Sequence, residues 1–220
     1  MMHILDTGPI FKFLATDCVP HLLAALGHNV VNVPEAVDFE ITDTPKRREQ
    51  FKRAAEVWPK FPKRFKRVIP DTPTDELRAC CRSVLGMDFE DMYASRKDRG
   101  ENMAILHGVL LARAGERVVL VCDEEAGTSK IKQQAIVLKM QHMRGQHVAG
   151  GQIQHADTLT LLRWAIEAGA FASQTEFLQK YQAMANLDEA LPRDVKATGL
   201  TRRPPWPPRV AAEWRLGGPA

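Results

Sequence analysis

Short apolar runs alternate along the chain with longer segments whose apolar residues recur at the spacing of one helix face. Three of these runs predict buried strands, His3 to Leu5, Val30 to Val33 and Val118 to Cys122, because each is short, continuous and bounded by turn residues or acids. A further short strand is predicted near His147 to Ala149. Strands that alternate with helices predict an α/β fold with a mostly parallel sheet.

Between the predicted strands lie segments whose apolar residues have the spacing of an amphipathic helix. In ENMAILHGVLLARAG the helix opens at Gly100, places Met103 and Leu106 near one face and ends at Gly115. In the opening MHILDTGPI, Pro9 suits the first turn of a helix, so this stretch predicts strand, acid and helix. Further helices are predicted over residues 19–26, from Pro34 to Ile41, around Glu76 to Leu85, and over Thr128 to His142, Asp157 to Ala168 and Gln174 to Ala185.

Basic residues concentrate in residues 43–70, although the formal net charge of the whole chain is only +3. This segment interleaves them with four aromatic residues, Phe51, Trp58, Phe61 and Phe65. Two interpretations are open. The cations bind RNA phosphates while the rings stack on unpaired bases, or the segment is a solvated face whose rings pack on the domain. Residues 43–97 as a whole are predicted to be a basic helical insertion.

The end of the chain, residues 195–220, is rich in proline and basic residues, as in TRRPPWPPR. Clustered prolines stop helices and favour an extended chain, which predicts a disordered or partner-ordered tail. Trp206 and Trp214 are large apolar groups in this segment. The tail is therefore predicted to lie outside the sheet and to pack on a surface, either of this chain or of a partner.

The apolar runs, the N-terminal residues and the cysteines of the chain predict its cellular location. No apolar run reaches the length of a membrane-spanning helix, and the N-terminus lacks the basic leader and long apolar region of a signal peptide. The four cysteines form no CxxC pair, and the adjacent Cys80 and Cys81 are poorly suited to a framework disulfide. These features predict reduced thiols in a cytoplasmic protein that does not associate with membranes.

Four acids carry the candidate chemistry. Asp6 and Asp123 each follow a predicted strand, and in a parallel sheet they would project from the same edge. Glu40 and Glu101 lie in predicted helices, Glu101 just before the strand that leads to Asp123. Each acid taken alone has an ordinary structural explanation as a turn, cap or solvated helix residue. Together they predict a cluster of like charges around a cation, and hard oxygen ligands select Mg²⁺ or Mn²⁺.

The segments ILDTGPI, VPEAVDFEI, DRGENMAIL and VLVCDEEAG resemble, in order and spacing, the PIN-domain nucleases. The likeness is to the VapC-like toxin endoribonucleases whose third acid lies in a Gly-Glu pair, and it covers roughly residues 3–185. It implies a three-layer α/β/α sandwich with a short, mostly parallel sheet, and a PIN-like nuclease domain over residues 1–190. It also implies an acidic quartet that binds divalent metal and cleaves RNA.

Carried over residue by residue, the resemblance makes Asp6, Glu40, Glu101 and Asp123 the catalytic and metal-binding acids. Thr7 becomes a hydroxyl that orients ligand or water, and Glu124 a peripheral ligand. Two departures are visible. Residues 43–97 exceed the family's usual length between the second and third acids, and Thr128 and Ser129 stand where the family often has basic residues, with Lys130 next.

The sequence thus predicts an Mg²⁺- or Mn²⁺-dependent endoribonuclease, as a toxin or toxin-like effector of a prokaryotic toxin–antitoxin pair. Its expected partners are RNA, an antitoxin and a second copy of the chain. The rival hypothesis is a catalytically weak or inactive PIN-like module that binds RNA or a partner. Asp-Thr-Gly does not indicate an aspartic protease, because that fold is all-β and this chain is rich in helix-forming segments. The predicted RNA-binding residues are Lys63, Arg64, Lys66, Arg67 and Lys130.

Overall fold

The computed structural model of the chain describes residues 1–146, 151–202 and 206. Its centre is a five-stranded, all-parallel sheet with the strand order β3-β2-β1-β4-β5. The strands are β1 (Met2–Leu5), β2 (Val31–Pro34), β3 (Lys66–Ile69), β4 (Arg117–Val121) and β5 (Gln152–Ala156). Parallel strands need crossover connections, and helices supply them here.

Ten α-helices surround this sheet in the described residues. Several begin at side-chain caps, as where the Thr74 hydroxyl accepts a hydrogen bond from the Leu77 backbone N–H. The helices are α1 (Thr7–Ala15), α2 (Val19–Ala25), α3 (Glu35–Asp43), α4 (Lys52–Val57), α5 (Asp75–Leu85), α6 (Phe89–Ala94), α7 (Arg99–Arg113), α8 (Glu125–Met143), α9 (Thr158–Glu167) and α10 (Gln174–Ala185).

Two hydrophobic clusters show how the helices divide between the faces of the sheet. One cluster joins side chains of α1, α2, α4, α9 and α10 to the strands, and the other joins side chains of α5, α6, α7 and α8. A parallel sheet buried on both faces gives near-continuous apolar strands, which is the pattern of β1, β2 and β4. The predicted three-layer α/β/α sandwich is therefore confirmed.

Two strands differ from the sequence prediction. Lys66–Ile69 was predicted to be part of a helical insertion, but it forms β3 and pairs with β2, so residues 43–97 complete one edge of the sheet. An edge strand can be half-exposed and charged, so KRVI carries little apolar signal. The strand after α8 is Gln152–Ala156, and the predicted strand near His147 to Ala149 lies outside the described residues.

The described part of the C-terminal segment folds back on the domain. Residues Val195–Thr198 form a 3₁₀ turn, Leu200 is buried in the first hydrophobic cluster, and Trp206 packs against that cluster. The Trp206 indole N–H donates a 2.6 Å hydrogen bond to the Leu200 carbonyl. Of the alternatives that the sequence left open, packing on the surface of this chain is the one found for these residues, and they are neither disordered nor ordered by a partner, since apolar burial outweighs the ordering cost.

All four cysteines are buried and none forms a disulfide. Within the described residues, no helix combines the length and the apolar character needed to cross a membrane.

Candidate functional site

The acids at the strand ends meet at the point where the strand order reverses. From the central β1, the chain passes to β2 and β3 on one side and to β4 and β5 on the other. Open α/β sheets bind ligands in the crevice beyond the carboxyl ends of the strands at such a point. Asp6 follows β1 directly, and its backbone N–H donates a 2.9 Å hydrogen bond to the carbonyl of Val121 at the end of β4. Asp123 follows β4 by two residues.

An open cleft of about 640 Å³ lies over this crevice. All four predicted catalytic acids line it, together with Thr7 and Glu124. Cationic side chains also line it, which gives the cleft an acidic floor beside basic groups. These cations are Lys12, Arg47, Arg48, Arg96 and Arg99.

Of the four predicted catalytic acids, Asp6 has the fewest protein contacts that stabilise its negative charge. Its side chain lies at the sheet edge with the residue only 7% exposed. Burial raises the pKa of Asp6 to about 8, a hydrogen bond from the Thr7 backbone opposes the rise, and the charges of Glu40, Glu101 and Glu124 add to it. A buried carboxyl that faces three like charges is the environment that a bound cation would relieve.

Glu40 is held by two donors from different elements. The Thr7 hydroxyl donates a 2.7 Å hydrogen bond to Oε2, and the Gly100 backbone N–H donates a 3.2 Å hydrogen bond to Oε1. A Cβ on Gly100 would lie 2.7 Å from Oε2, which explains glycine immediately before the acid of the Gly-Glu pair. Thr7 therefore orients a carboxylate in this structure, whereas the sequence predicted that it orients ligand or water.

Glu101 occupies the first turn of α7 and is 5% exposed. It accepts hydrogen bonds from Cys122 Sγ at 3.5 Å and from Lys130 Nζ at 3.4 Å. Burial raises the pKa of Glu101, the Lys130 ammonium opposes the rise, and the Glu124 charge adds to it. Lys130, which was predicted to bind RNA, is thus engaged with Glu101, and it also donates to Asn102 Oδ1 at 3.1 Å.

Asp123 is fully engaged by protein donors, in contrast to Asp6. The backbone N–H of Thr158 donates to Oδ1 at 2.8 Å, and the Thr158 hydroxyl donates to Oδ2 at 2.7 Å. Lys12 Nζ lies 2.9 Å from the same Oδ2 and 2.7 Å from Asp188 Oδ2. Sequence reasoning missed Lys12, Thr158 and Asp188. The available signal was a single lysine inside the apolar run PIFKFLA.

The potential metal ligands in the cleft are carboxylate oxygens, which are the ligands that a hard divalent cation prefers. In the part of the chain that the structure describes, however, no group of three or more His, Cys, Asp or Glu side chains is arranged to hold a metal ion. Binding would therefore require some of these carboxylates to shift from the hydrogen bonds that they make here.

The predicted RNA-binding residues of the basic segment do not line this cleft. None of Lys63, Arg64, Lys66 and Arg67 is among the residues that line it. Lys66 Nζ is 4.4 Å from the ring centroid of Trp58 and 3.8 Å from Asp38 Oδ1, so this ammonium already makes contacts within the protein. The arginines that do line the cleft were not among the predicted site residues.

The aromatic residues of the basic segment pack inside the protein. Phe51, Trp58 and Phe61 are each at most 2% exposed, so their rings cannot stack on nucleobases. Phe65 is half-buried and packs against the same hydrophobic cluster. Of the two interpretations that the sequence left open, packing on the domain is correct for these rings, because they supply the apolar contacts that attach α4 and its flanking turns.

A buried polar network positions α3, the helix that carries Glu40. Asp71 is 3% exposed, and its Oδ2 accepts a 2.7 Å hydrogen bond from the Ala36 backbone N–H. Its Oδ1 lies 2.9 Å from His107 Nε2, and its own N–H donates to Glu35 Oε2 at 2.8 Å. Through Asp71, His107 therefore links α7 to the start of α3, and it does not line the acidic cleft.

Comparison of the chain with protein-family models, curated proteins and solved structures produced no match. The resemblance to PIN-domain nucleases therefore remains a prediction that rests on four sequence segments, and the comparisons assign the chain to no family.

Proposed function

We propose that this protein is a divalent-metal-dependent ribonuclease that hydrolyses RNA phosphodiester bonds at the acidic cleft. The observation that carries the proposal is the convergence of Asp6, Glu40, Glu101 and Asp123, from four different parts of the chain, on one cleft at the carboxyl ends of the strands. Among them Asp6 is buried with its pKa raised to about 8, and a strongly perturbed carboxyl in a cleft at a sheet switch point marks a candidate site for a cation.

Asp6, Glu40, Glu101 and Asp123 would hold Mg²⁺ or Mn²⁺, with Glu124 at the periphery. A bound divalent ion supplies charge neutralisation at the phosphate and lowers the pKa of water. The residues of the chain have separable tasks. Donors from neighbouring residues hold Glu40, Glu101 and Asp123 at the cleft, from which a small shift would bring them to a cation, and the arginines at the cleft would attract phosphates.

A toxin-like role in the cytoplasm, restrained by an antitoxin or by pairing of two copies, belongs to the same proposal. The second candidate function is an RNA- or partner-binding module with a weak or inactive metal site. It is favoured by the Lys12–Asp123 contact of 2.9 Å, because a lysine there already neutralises one of the four acids.

Metal binding and cleavage of RNA by the same protein separate these candidates. We expect the wild-type protein to bind Mg²⁺ in calorimetry and to cleave single-stranded RNA only when Mg²⁺ or Mn²⁺ is added. Glu101→Gln should lose metal binding and lower the cleavage rate at least ~100-fold, the scale expected when an electrostatic contact to the transition state is removed. Glu167→Gln, an exposed acid at the end of α9, is the matched control and should behave as wild type.

RNA binding without metal binding, together with cleavage that does not depend on Glu101, would reject the nuclease and support the binding module.

A further inference from the structure

A second cavity of about 420 Å³ adjoins the acidic cleft. Three of its lining residues, Phe39, Arg96 and Arg99, also line the acidic cleft, so the two spaces share a wall. Tyr93 and Glu35 complete its polar and aromatic lining. The side cavity therefore lies within reach of a ligand that occupies the acidic cleft.

Phe39 is an exposed aromatic residue on this shared wall. It precedes Glu40 on α3 and is 48% exposed, whereas the rings of the basic segment at Phe51, Trp58 and Phe61 are buried. The ring pairs found within the described residues do not include Phe39. A large apolar ring left uncovered beside a cleft is an available stacking surface.

The two arginines beside Phe39 form no ion pair with a carboxylate of the described residues. The arginine ion pairs in the described residues involve Arg47, Arg53, Arg78 and Arg82, and not Arg96 or Arg99. The Arg99 guanidinium lies 5.1 Å from the Tyr93 ring centroid, its Nη1 donates a 3.2 Å hydrogen bond to the Tyr93 carbonyl, and its Nε is buried without a hydrogen-bond partner. Its contacts with Tyr93 hold the guanidinium in place, and its positive charge is left without a paired carboxylate in the described residues.

We propose that the side cavity is a nucleotide subsite in which Phe39 stacks on an unpaired nucleobase and Arg96 and Arg99 bind the adjoining phosphates. The inference rests on the proposed function, because it deepens the same cleft by naming single-stranded nucleic acid as its ligand. An exposed apolar ring on the same wall as two guanidinium groups matches the alternation of base and phosphate along a single strand. In a duplex the bases are stacked on one another, so no base face would be available to stack on Phe39.

Binding of a fluorescein-labelled single-stranded RNA, measured by anisotropy in EDTA and low salt, tests the subsite without cleavage. Phe39→Ala should weaken binding about 5- to 150-fold, the range that one base–aromatic stack contributes. Phe39→Trp should retain wild-type affinity because it keeps a stacking face. Leu178→Ala is the matched control, since Leu178 is an exposed apolar residue on α10 that does not line the cleft.

An abasic oligonucleotide of the same length adds a second arm, in which wild type and Phe39→Ala should bind equally. Equal affinities of these two proteins for the normal RNA would overturn the subsite, as would failure of the wild type to bind the RNA. The nuclease proposal is judged separately by Mg²⁺-dependent cleavage. Cleavage without a Phe39 effect refutes the subsite alone, whereas a Phe39-dependent affinity without cleavage refutes the nuclease alone.

Discussion

Lys12 provides a stringent test of how the site is assembled. It is 1% exposed and contacts Asp123 Oδ2 at 2.9 Å and Asp188 Oδ2 at 2.7 Å. The chain positions that meet here are far apart, so the ion pairs connect α1 to the loop after β4 and to the segment after α10. Lys12→Met removes the charge and keeps an unbranched side chain of similar length, which isolates the electrostatic contribution.

The expected loss follows from the exposure of the two carboxylates. Removing one partner of a buried ion pair costs about 3–5 kcal/mol, because the remaining charge stays buried. The Asp123 side chain is 8% exposed and would experience this cost, whereas Asp188 is 30% exposed and can be solvated. We therefore expect Lys12→Met to lower the free energy of unfolding by about 3 kcal/mol, and Asp188→Asn by about 1 kcal/mol.

The pH range of this contribution follows from the pKa of Lys12. Burial lowers it, but the charges of Asp123 and Asp188 outweigh burial and leave it above its usual 10.5. A pKa raised in the folded state means that the stabilisation is complete below 10.5 and is lost as the pH rises through the folded value. At neutral pH the contribution is therefore fully present.

Urea unfolding at pH 7 of wild type, Lys12→Met, Asp123→Asn and the double variant forms a thermodynamic cycle. The double variant should be less destabilised than the sum of the single variants, because replacing both partners leaves no unpaired buried charge. Lys52→Met, at an exposed position on α4, is the control and should change stability by less than about 0.5 kcal/mol. A Lys12→Met protein within that margin of wild type would refute the reasoning.

Two further predictions concern the acids. In EDTA, wild-type stability should fall as the pH rises from about 4 to about 8, because the pKa of Asp6 is raised from 3.8 to about 8 on folding. The loss by pH 7 is about 4 kcal/mol, from roughly three pKa units at about 1.4 kcal/mol each. Asp6→Asn should flatten this slope in urea unfolding series, and an unchanged slope would contradict the prediction. Gly127→Ala places a Cβ 2.5 Å from Glu101 Oε2. The same Cβ would lie 2.8 Å from the buried Cys122 Sγ, so the change should displace the Glu101 carboxylate, weaken Mg²⁺ binding in calorimetry at least ~10-fold and cost about 1–3 kcal/mol of stability through overpacking. Unchanged affinity would show that Glu101 is not a ligand.

The local pattern of apolar and polar residues was sufficient to predict the central strands and the acids that follow them. The apolar runs that became β1, β2 and β4 are buried on both faces, so their sequences are continuous and recognisable. Because parallel strands end at the same edge, the sequence order alone brought Asp6 and Asp123 to one crevice. The amphipathic spacing of α7 likewise located Glu101 in its first turn.

The edge strands show where local pattern fails. In β3 and β5 the apolar residues are few and follow no regular alternation with the polar ones, as in KRVI and QIQHA. Such segments become strands because a neighbouring strand offers hydrogen bonds, and that neighbour is distant in sequence. Their own side chains carry too little periodicity to predict it.

The division of roles among charged and aromatic residues was decided by tertiary structure alone. The sequence determined which residues could bind metal or RNA, but not which of them the fold would occupy with its own partners. Lys12 meets Asp123 across 111 positions of sequence, and Lys130 meets Glu101 across 29. Phe51 and Phe39 look alike in the sequence, yet one is 2% exposed and the other 48%. Pairing and burial depend on contacts between remote segments, and the free energy of those contacts exists only when the chain is folded.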